Sequence, residues 1–285
     1  MTYAKENPVL KILRKTGKFI FNLIMILFSI TCIFPIIWIM YSSLKTKEEF
    51  MLNIVSLPKN PQFNNYITAF VDGNLNKYFI NSAFNSIITV ALVILISFCI
   101  GYVLARYQFK GRNYIYTLFI AGMLIPVYAL IVPLFIQFKS LGMYDKLGTL
   151  ILPYVSLRLP LSIFLFESFI RTVPMEIDEA AYIDGAHTFY TMGRIIFPVC
   201  KPVMSTVLIL AFLDTWNEFP FALVLVTKDI LRTLPVGLTN FYGQYTTDYT
   251  TLMAALVLSI LPVIIVYLIF RKQIIQGMTA GAVKG

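Results

Sequence analysis

Six apolar stretches, each long enough to cross a lipid bilayer as a helix, constrain this chain before any motif is considered. They run over about 19–44, 82–105, 114–138, 148–170, 202–226 and 250–270. A hydrocarbon core of ~30 Å takes roughly 20 helical residues to cross. Backbone groups inside lipid find no water, so stretches of this length satisfy their hydrogen bonds as helices. All six are apolar around the whole circumference rather than along one stripe, as lipid-embedded helices are. Barrel strands would alternate in units of ~10 residues, and no such alternation is present. Composition agrees, with 58% of 285 residues hydrophobic and only 13% charged. Soluble domains are nearer ~25% charged, and a globule with this surface would aggregate in water. A soluble enzyme, a disordered chain and a nucleic-acid binder are therefore excluded. The expected fold is all-α, a polytopic membrane protein with six transmembrane helices.

Basic residues set the orientation. An even number of spans puts both termini on one side. With the N-terminus inside, 14 of the 23 Lys and Arg residues fall on inner segments, 8 on outer segments, and Arg158 within a span. The clusters Lys11 to Lys18, Arg106 to Arg112 and Arg271–Lys272 all flank inner span ends. The net charge of +9 therefore reads as topology. The expected organisation is a cytoplasmic tail 1–18, a first membrane helix 19–44, an extracellular segment 45–81, a core domain 82–270 with an inner loop 171–201, and a cytoplasmic tail 271–285. The first span is longer than a signal-peptide core of ~7–15 residues and lacks a small-x-small cleavage site, so it reads as an uncleaved anchor.

Catalytic signatures are missing. Cys32, Cys99 and Cys200 have no disulfide or metal spacing. There is no GxxxxGK[ST] phosphate loop, no G-x-S-x-G elbow, and His187 stands alone. The chain is expected to hold no metal or cofactor and to be no enzyme, which leaves a transporter, a channel or an assembly subunit.

The loop 171–201 departs from the pattern. It carries Glu176, Asp178, Glu179 and Asp184, against the basic trend of the inner side. Pro174 suits a first helical position, and the acids then fall in the first turns, where the helix dipole favours them. Ile177, Ala180, Ala181 and Asp184 recur at i, i+3, i+4 and i+7 and share a face. Gly185 falls where the helix would end, and a second short helix is expected from about His187 to Ile195, before Pro198. The result is an elbow along the inner membrane surface, either a docking surface or a plain connector.

Glu179-Ala180-Ala181-Tyr182-Ile183-Asp184-Gly185-Ala186, followed by Ile195-Ile196-Phe197-Pro198, resembles the EAA motif of binding-protein-dependent ABC importer permeases, with Phe197 where Leu is usual. Thr215-Trp216-Asn217-Glu218-Phe219 is similar to a signature of the carbohydrate-uptake branch. Residues 231–238 and 243–245 resemble its last outer loop, and the tail 276–285 that of the maltose-type G subunit. From residue 10 to 285 the chain resembles the second permease subunit of a maltose/oligosaccharide-type sugar importer.

The resemblance implies a type I permease core over 82–270 in a bacterial cell membrane, with both termini cytoplasmic. It implies a heterodimer with a second homologous permease, two ATPase subunits that bind the ATP and Mg, an extracellular sugar-binding protein, a sugar substrate, surrounding membrane lipid, and no nucleic acid. Glu179, Ala180, Ala181, Asp184 and Gly185 would form the coupling helix that docks on the ATPase. Tyr242, Gln244 and Tyr245 would touch the binding protein. Gly277, Thr279, Gly281 and Lys284 would thread between the ATPase subunits. A permease of the same architecture for another solute, or a stand-alone carrier, is the rival. A carrier would need no acidic elbow and usually carries internal repeats, and none is seen.

Charges within spans cost ~2.5–3.5 kcal/mol at the bilayer centre and are rarely idle. Asp214 and Glu218 are four residues apart on one expected helical face, beside Trp216 and Asn217. Two readings stand: a polar wall of the translocation path, or a lock between helices through Arg158 or the partner permease. Pro126, Pro133, Pro153 and Pro160 lie within the third and fourth spans and are expected to kink them.

Overall fold

The computed structural model describes residues 8–241 and 248–282, with side chains from 15 to 241 and from 248 to 272. The described residues are helical, with short connections and no strand. Helix α1 spans Pro8–Ser42 and a short helix, α2, Lys47–Leu52. Helix α3 runs Leu75–Arg106, α4 Arg112–Gly122, α5 Ile131–Ser140 and α6 Ile151–Ile170. The elbow helix α7 is Glu176–Ile183. Then come α8 (Lys201–Trp216), α9 (Pro220–Leu225) and α10 (Tyr249–Ala282).

Among the described residues four unbroken helices are long and apolar enough to cross a membrane: Lys15–Ser42, Leu75–Arg106, Ile151–Ile170 and Tyr249–Lys272. The other two expected spans are broken. The third bends by 92° between Arg112–Gly122 and Val127–Ser140. Pro126 lies at that break, has no N–H to give, and disfavours helix in the residue before it. Pro133 falls in the first turn of α5 and Pro153 in that of α6, where a missing N–H costs nothing; Pro160 is inside α6. The fifth span, expected as one helix over 202–226, starts where expected, at Lys201, and is corrected at its far end. Thr188–Val199 meets Lys201–Trp216 at 78°, next to Pro202. The helix then stops at Trp216, and α9 restarts at Pro220.

The core is built where α3 and α6 meet. Ser82, Ser86, Thr89, Val93, Ser97 and Gly101 form a buried stripe of mostly small residues along α3, spaced three to four apart. In lipid, helices gain little from the hydrophobic effect, so close backbone approach supplies the attraction. Gly101 is the tightest point: a Cβ there would lie 2.8 Å from the Phe166 Cβ and 3.0 Å from the Glu167 N. Around it pack Val93, Phe98, Tyr102, Phe166, Ile170, Val203 and Val207. The apolar residues of α1 from Phe19 to Ile37, by contrast, are largely exposed, as a span facing lipid requires.

Candidate functional site

The elbow is built as its local chemistry demands. Helix α7 carries Glu176, Asp178 and Glu179 in its first turn, facing the positive end of the helix dipole. Pro174 lies ahead of this turn rather than in it, because Met175 is the residue that caps the helix. At the far end Gly185 adopts φ +82°. Its N–H reaches the Tyr182 carbonyl at 3.0 Å, and the Ala186 N–H reaches that of Ala181 at 2.9 Å. These are the two bonds of a Schellman stop. A Cβ at Gly185 would meet open space, so the left-handed backbone, and not crowding, calls for glycine. His187 opens the second arm, its Nδ1 accepting the Tyr190 N–H at 3.2 Å. That arm runs to Val199, past the expected end near Ile195.

The expected single face of α7 is divided. Ala181 is buried and Ile177 half-buried, while Glu179, Ala180 and Asp184 are exposed. The expectation that both alanines meet a partner is corrected for Ala181, which faces its own bundle. The cause is Asp178, which turns inward and sets the rotation of the helix. Its Oδ2 lies 2.9 Å from Arg106 Nη2, and its Oδ1 accepts the Tyr102 hydroxyl at 2.9 Å. Arg106 Nη1 donates to the Val173 carbonyl at 2.9 Å. The Arg106 and Asp178 side chains are only 5% and 10% exposed. This ion pair joins the elbow to the C-terminal end of α3, beside a cleft of about 290 Å³ lined by Tyr102, Arg106, Met175, Asp178 and Glu179.

The outward side of the elbow carries Glu179, Ala180 and Asp184 among exposed Met175, Tyr182, Ile183, Phe189 and Tyr190. Apolar groups gathered around acids at this density mark an interaction surface. A second ionic joint closes the far end of α6. Arg112 Nη2 lies 2.9 Å from Glu167, Arg112 Nε donates to the Leu104 carbonyl at 2.7 Å, and Arg171 also pairs with Glu167. Glu167, three residues from the end of α6, is buried between two guanidiniums.

Sequence reading missed Arg106, Arg112 and Asp178 as working residues. It assigned the arginines to topology and the acid to the helix dipole. The available signal was Tyr102 and Arg106, four apart at a membrane edge and able to meet one acid together.

A second site opens between α6, α8 and α9, a cleft of about 280 Å³ lined by Tyr128, Tyr154, Arg158, Asp214, Asn217 and Glu218 among others. Arg158 Nη1 pairs with Asp214 Oδ2 at 2.7 Å, as the locking reading expected, and both remain partly exposed to the cleft. Glu218 does not share a helical face with Asp214, because α8 has already ended. Its carboxylate instead accepts the N–H groups of Phe221 at 2.7 Å and Ala222 at 3.0 Å, plus the Tyr154 hydroxyl at 2.6 Å. It thereby satisfies donors at the start of α9 that Pro220 helps to initiate. Trp216 is corrected: it turns away from the cleft, its Nε1 donating to the Ser259 carbonyl at 3.2 Å and its ring stacking on Phe212.

At the opposite end of the bundle from the elbow, residues 227–241 are fastened to the rest. Asp145 accepts the Thr227 and Lys228 N–H groups at 3.0 and 2.9 Å. The Tyr78 hydroxyl donates to Asp229, and the Leu234 N–H donates to the Ser82 hydroxyl, both at 2.8 Å. Tyr242, Gln244, Tyr245 and Lys284 lie outside the described residues. Gly277, Thr279 and Gly281 continue the helical backbone of α10. Among the described residues no cluster of His, Cys, Asp or Glu could hold a metal.

Bent membrane spans, a polar cleft inside the bundle and an exposed acidic elbow latched to one span define a membrane transport subunit. Residues 97–280 match the model of the family described as binding-protein-dependent transport system inner membrane component, and the chain belongs to that family. It is thus an inner-membrane transport subunit and not an enzyme. It is 36% identical to the diacetylchitobiose uptake system permease protein NgcG of Streptomyces coelicolor, over 90% of this chain and 86% of that one. It is 35% identical to the arabinooligosaccharides transport system permease protein AraQ of Bacillus subtilis, over 93% and 95%. A chain of a bacterial ABC transporter that imports the acidic polysaccharide alginate shares the fold, with a TM-score of 0.80 at 21% identity, covering 95% of this chain and 99% of that one.

Proposed function

We propose that this chain is one of two unlike permease subunits of an ATP-driven importer that takes up an oligosaccharide handed over by an extracellular binding protein. Both termini lie in the cytoplasm, and ATP with Mg binds the two partner ATPase subunits. The elbow residues Glu179, Ala180, Asp184 and Gly185 form the surface that docks on one ATPase. The observation that carries this reading is the elbow itself: an exposed face of acids and large apolar groups, fixed by the Arg106–Asp178 pair to a membrane span. Closure of the ATPase dimer moves the elbow. The elbow carries α3, and α6 follows because it packs on α3 without a gap at Gly101. Rigid-body motion of this kind switches the cleft between the two sides of the membrane. The oligosaccharide class is supported by the uptake systems of the similar proteins.

Glu179→Lys tests the docking. The subunit is expected to insert and pair normally, because the side chain is exposed, while uptake falls to background and cross-linking of the elbow to the ATPase is lost. Normal sugar uptake by this variant would remove the docking assignment.

Asp214, Asn217 and Glu218 line the path taken by the sugar, where carboxylate and amide groups can replace the water on its hydroxyls. Asp214→Asn keeps the shape of the cleft and frees Arg158. Initial uptake is expected to fall several-fold with subunit assembly unchanged, measured with radiolabelled sugar in vesicles. Unaltered uptake kinetics would leave the Arg158–Asp214 pair a structural lock only.

A further inference from the structure

The segment after α2, residues 51–57, is unusual for a stretch expected to lie in water. Met51, Leu52, Ile54, Val55 and Leu57 are each more than half exposed. No charge falls between Glu49 and Lys59. Yet most of its backbone from Asn53 to Ser56 is bonded internally. The Asn53 carbonyl accepts from Lys45 Nζ at 2.9 Å, and the Ile54 carbonyl accepts from Lys45 Nζ at 2.8 Å and Trp38 Nε1 at 3.1 Å. The Val55 carbonyl accepts the Tyr41 hydroxyl at 2.9 Å. The N–H groups of Val55 and Ser56 donate to Asn53 Oδ1 at 3.0 and 3.1 Å, and the Asn53 N–H to the Glu49 carbonyl at 3.1 Å. A loop in water has no need of such partners; a backbone that meets lipid does.

Depth follows from the same bonds. Counting from Lys18, the last inner basic residue of α1, about 20 residues cover the hydrocarbon thickness and end near Trp38. Trp and Tyr prefer that boundary, with the ring in the apolar layer and the polar tip at the headgroups. Trp38 and Tyr41 hold residues 54 and 55 at their own height. Rigid contacts fix the rest: Lys47 pairs with Asp248 at 2.8 Å, and Phe50 stacks on Tyr249 with ring centres 5.5 Å apart. Lys45 itself is fully buried, its ammonium beneath the Tyr41 and Phe50 rings.

We infer that residues 51–57 dip into the outer leaflet as an apolar clip, with Met51, Leu52, Val55 and Leu57 among lipid chains and headgroups, so that the outer ends of α1 and α10 are held at a set depth. This rests on residues 15–42 spanning the membrane and not on the docking role of the elbow. A protein partner is the competing occupant, but a partner strand or loop would use the carbonyls that Lys45, Trp38 and Tyr41 already occupy.

The test uses the complete transporter in lipid nanodiscs, with Cys32, Cys99 and Cys200 replaced by alanine and single cysteines introduced by Leu52→Cys, Val55→Cys, Leu57→Cys and, as an aqueous control, Asn60→Cys. Each is labelled with an environment-sensitive fluorophore, and retained stimulation of ATP hydrolysis by the loaded binding protein certifies assembly. Blue-shifted emission at 52, 55 and 57, quenched by lipids bearing a nitroxide near the glycerol end and protected from iodide several-fold relative to 60, is the expected result. Iodide quenching equal to that at 60 would overturn the inference. So would a blue shift that lipid nitroxides fail to quench, since it would put protein over the segment. The three positions are independent, so loss of one variant leaves the outcome decidable.

Discussion

Asp178→Ala is expected to cripple transport and to destabilise the subunit together, because it strands a buried cation. The Arg106 side chain is 5% exposed and has its carboxylate partner at 2.9 Å. Removing one member of such a pair typically costs about 3–5 kcal/mol, most of it for the charge left behind. A lower unfolding temperature of the purified complex should therefore accompany loss of uptake. The informative companion is Arg106→Met with Asp178→Leu. Replacing both charges by apolar groups of similar size is often neutral for stability, so the melting temperature should return toward that of the parent. Coupling should not return, since the elbow would then ride on α3 without a directional link. The readout is stimulation of ATP hydrolysis by the loaded binding protein. Full stimulation in the double variant would show that packing alone carries the motion. A strongly non-additive cycle is expected, as for any pair in direct contact.

Gly185→Val should abolish uptake by a different route and with little change in stability. The residue sits at φ +82° with nothing near the position of a Cβ. A side chain therefore meets no wall, yet it makes the left-handed conformation unfavourable by roughly 1–2 kcal/mol, more when branched at Cβ. That shifts the turn between two conformers about 5- to 30-fold. The Schellman bonds of Gly185 and Ala186 open, and the second arm, with exposed Phe189 and Tyr190, changes direction relative to α7. Gly185→Asn is the control, since Asn tolerates left-handed backbone far better than Val. It should retain much of the uptake that Val loses. Equal loss in both variants would point to a need for a bare backbone at the docked surface and not to the turn.

Much of the elbow was legible in the sequence for local reasons. A Glu-rich first turn, a glycine after two turns and a proline ahead of it obey rules that act over a few residues, and helix dipoles and left-handed turns depend on nothing further away. The rotation of that helix was not legible. Apolar spacing alone put Ala180 and Ala181 on one face, and the decisive residue was an acid, Asp178, whose partner lies 72 positions earlier. The Trp-Asn-Glu-Phe segment shows the same limit. Asp214 and Glu218 had helical spacing, but α8 ends at Trp216 between them and a new helix starts at Pro220, so Asp214, Asn217 and Glu218 stay at the cleft while Trp216 goes to the core.

Residue order alone determined that this chain spans a membrane as helices, roughly where, and with which loop set apart, because in lipid the backbone must satisfy itself within each segment and the cost of burying charge is large. It could not decide which charges would meet. Arg106, Arg112 and Asp178 read as ions near an interface and Arg158 and Asp214 as charges within spans, and only the packing of α3 on α7, α4 on α6 and α6 on α8 brings three pairs within 3 Å. Ion pairing falls off with distance and strengthens as water is excluded, so it is settled by the tertiary arrangement.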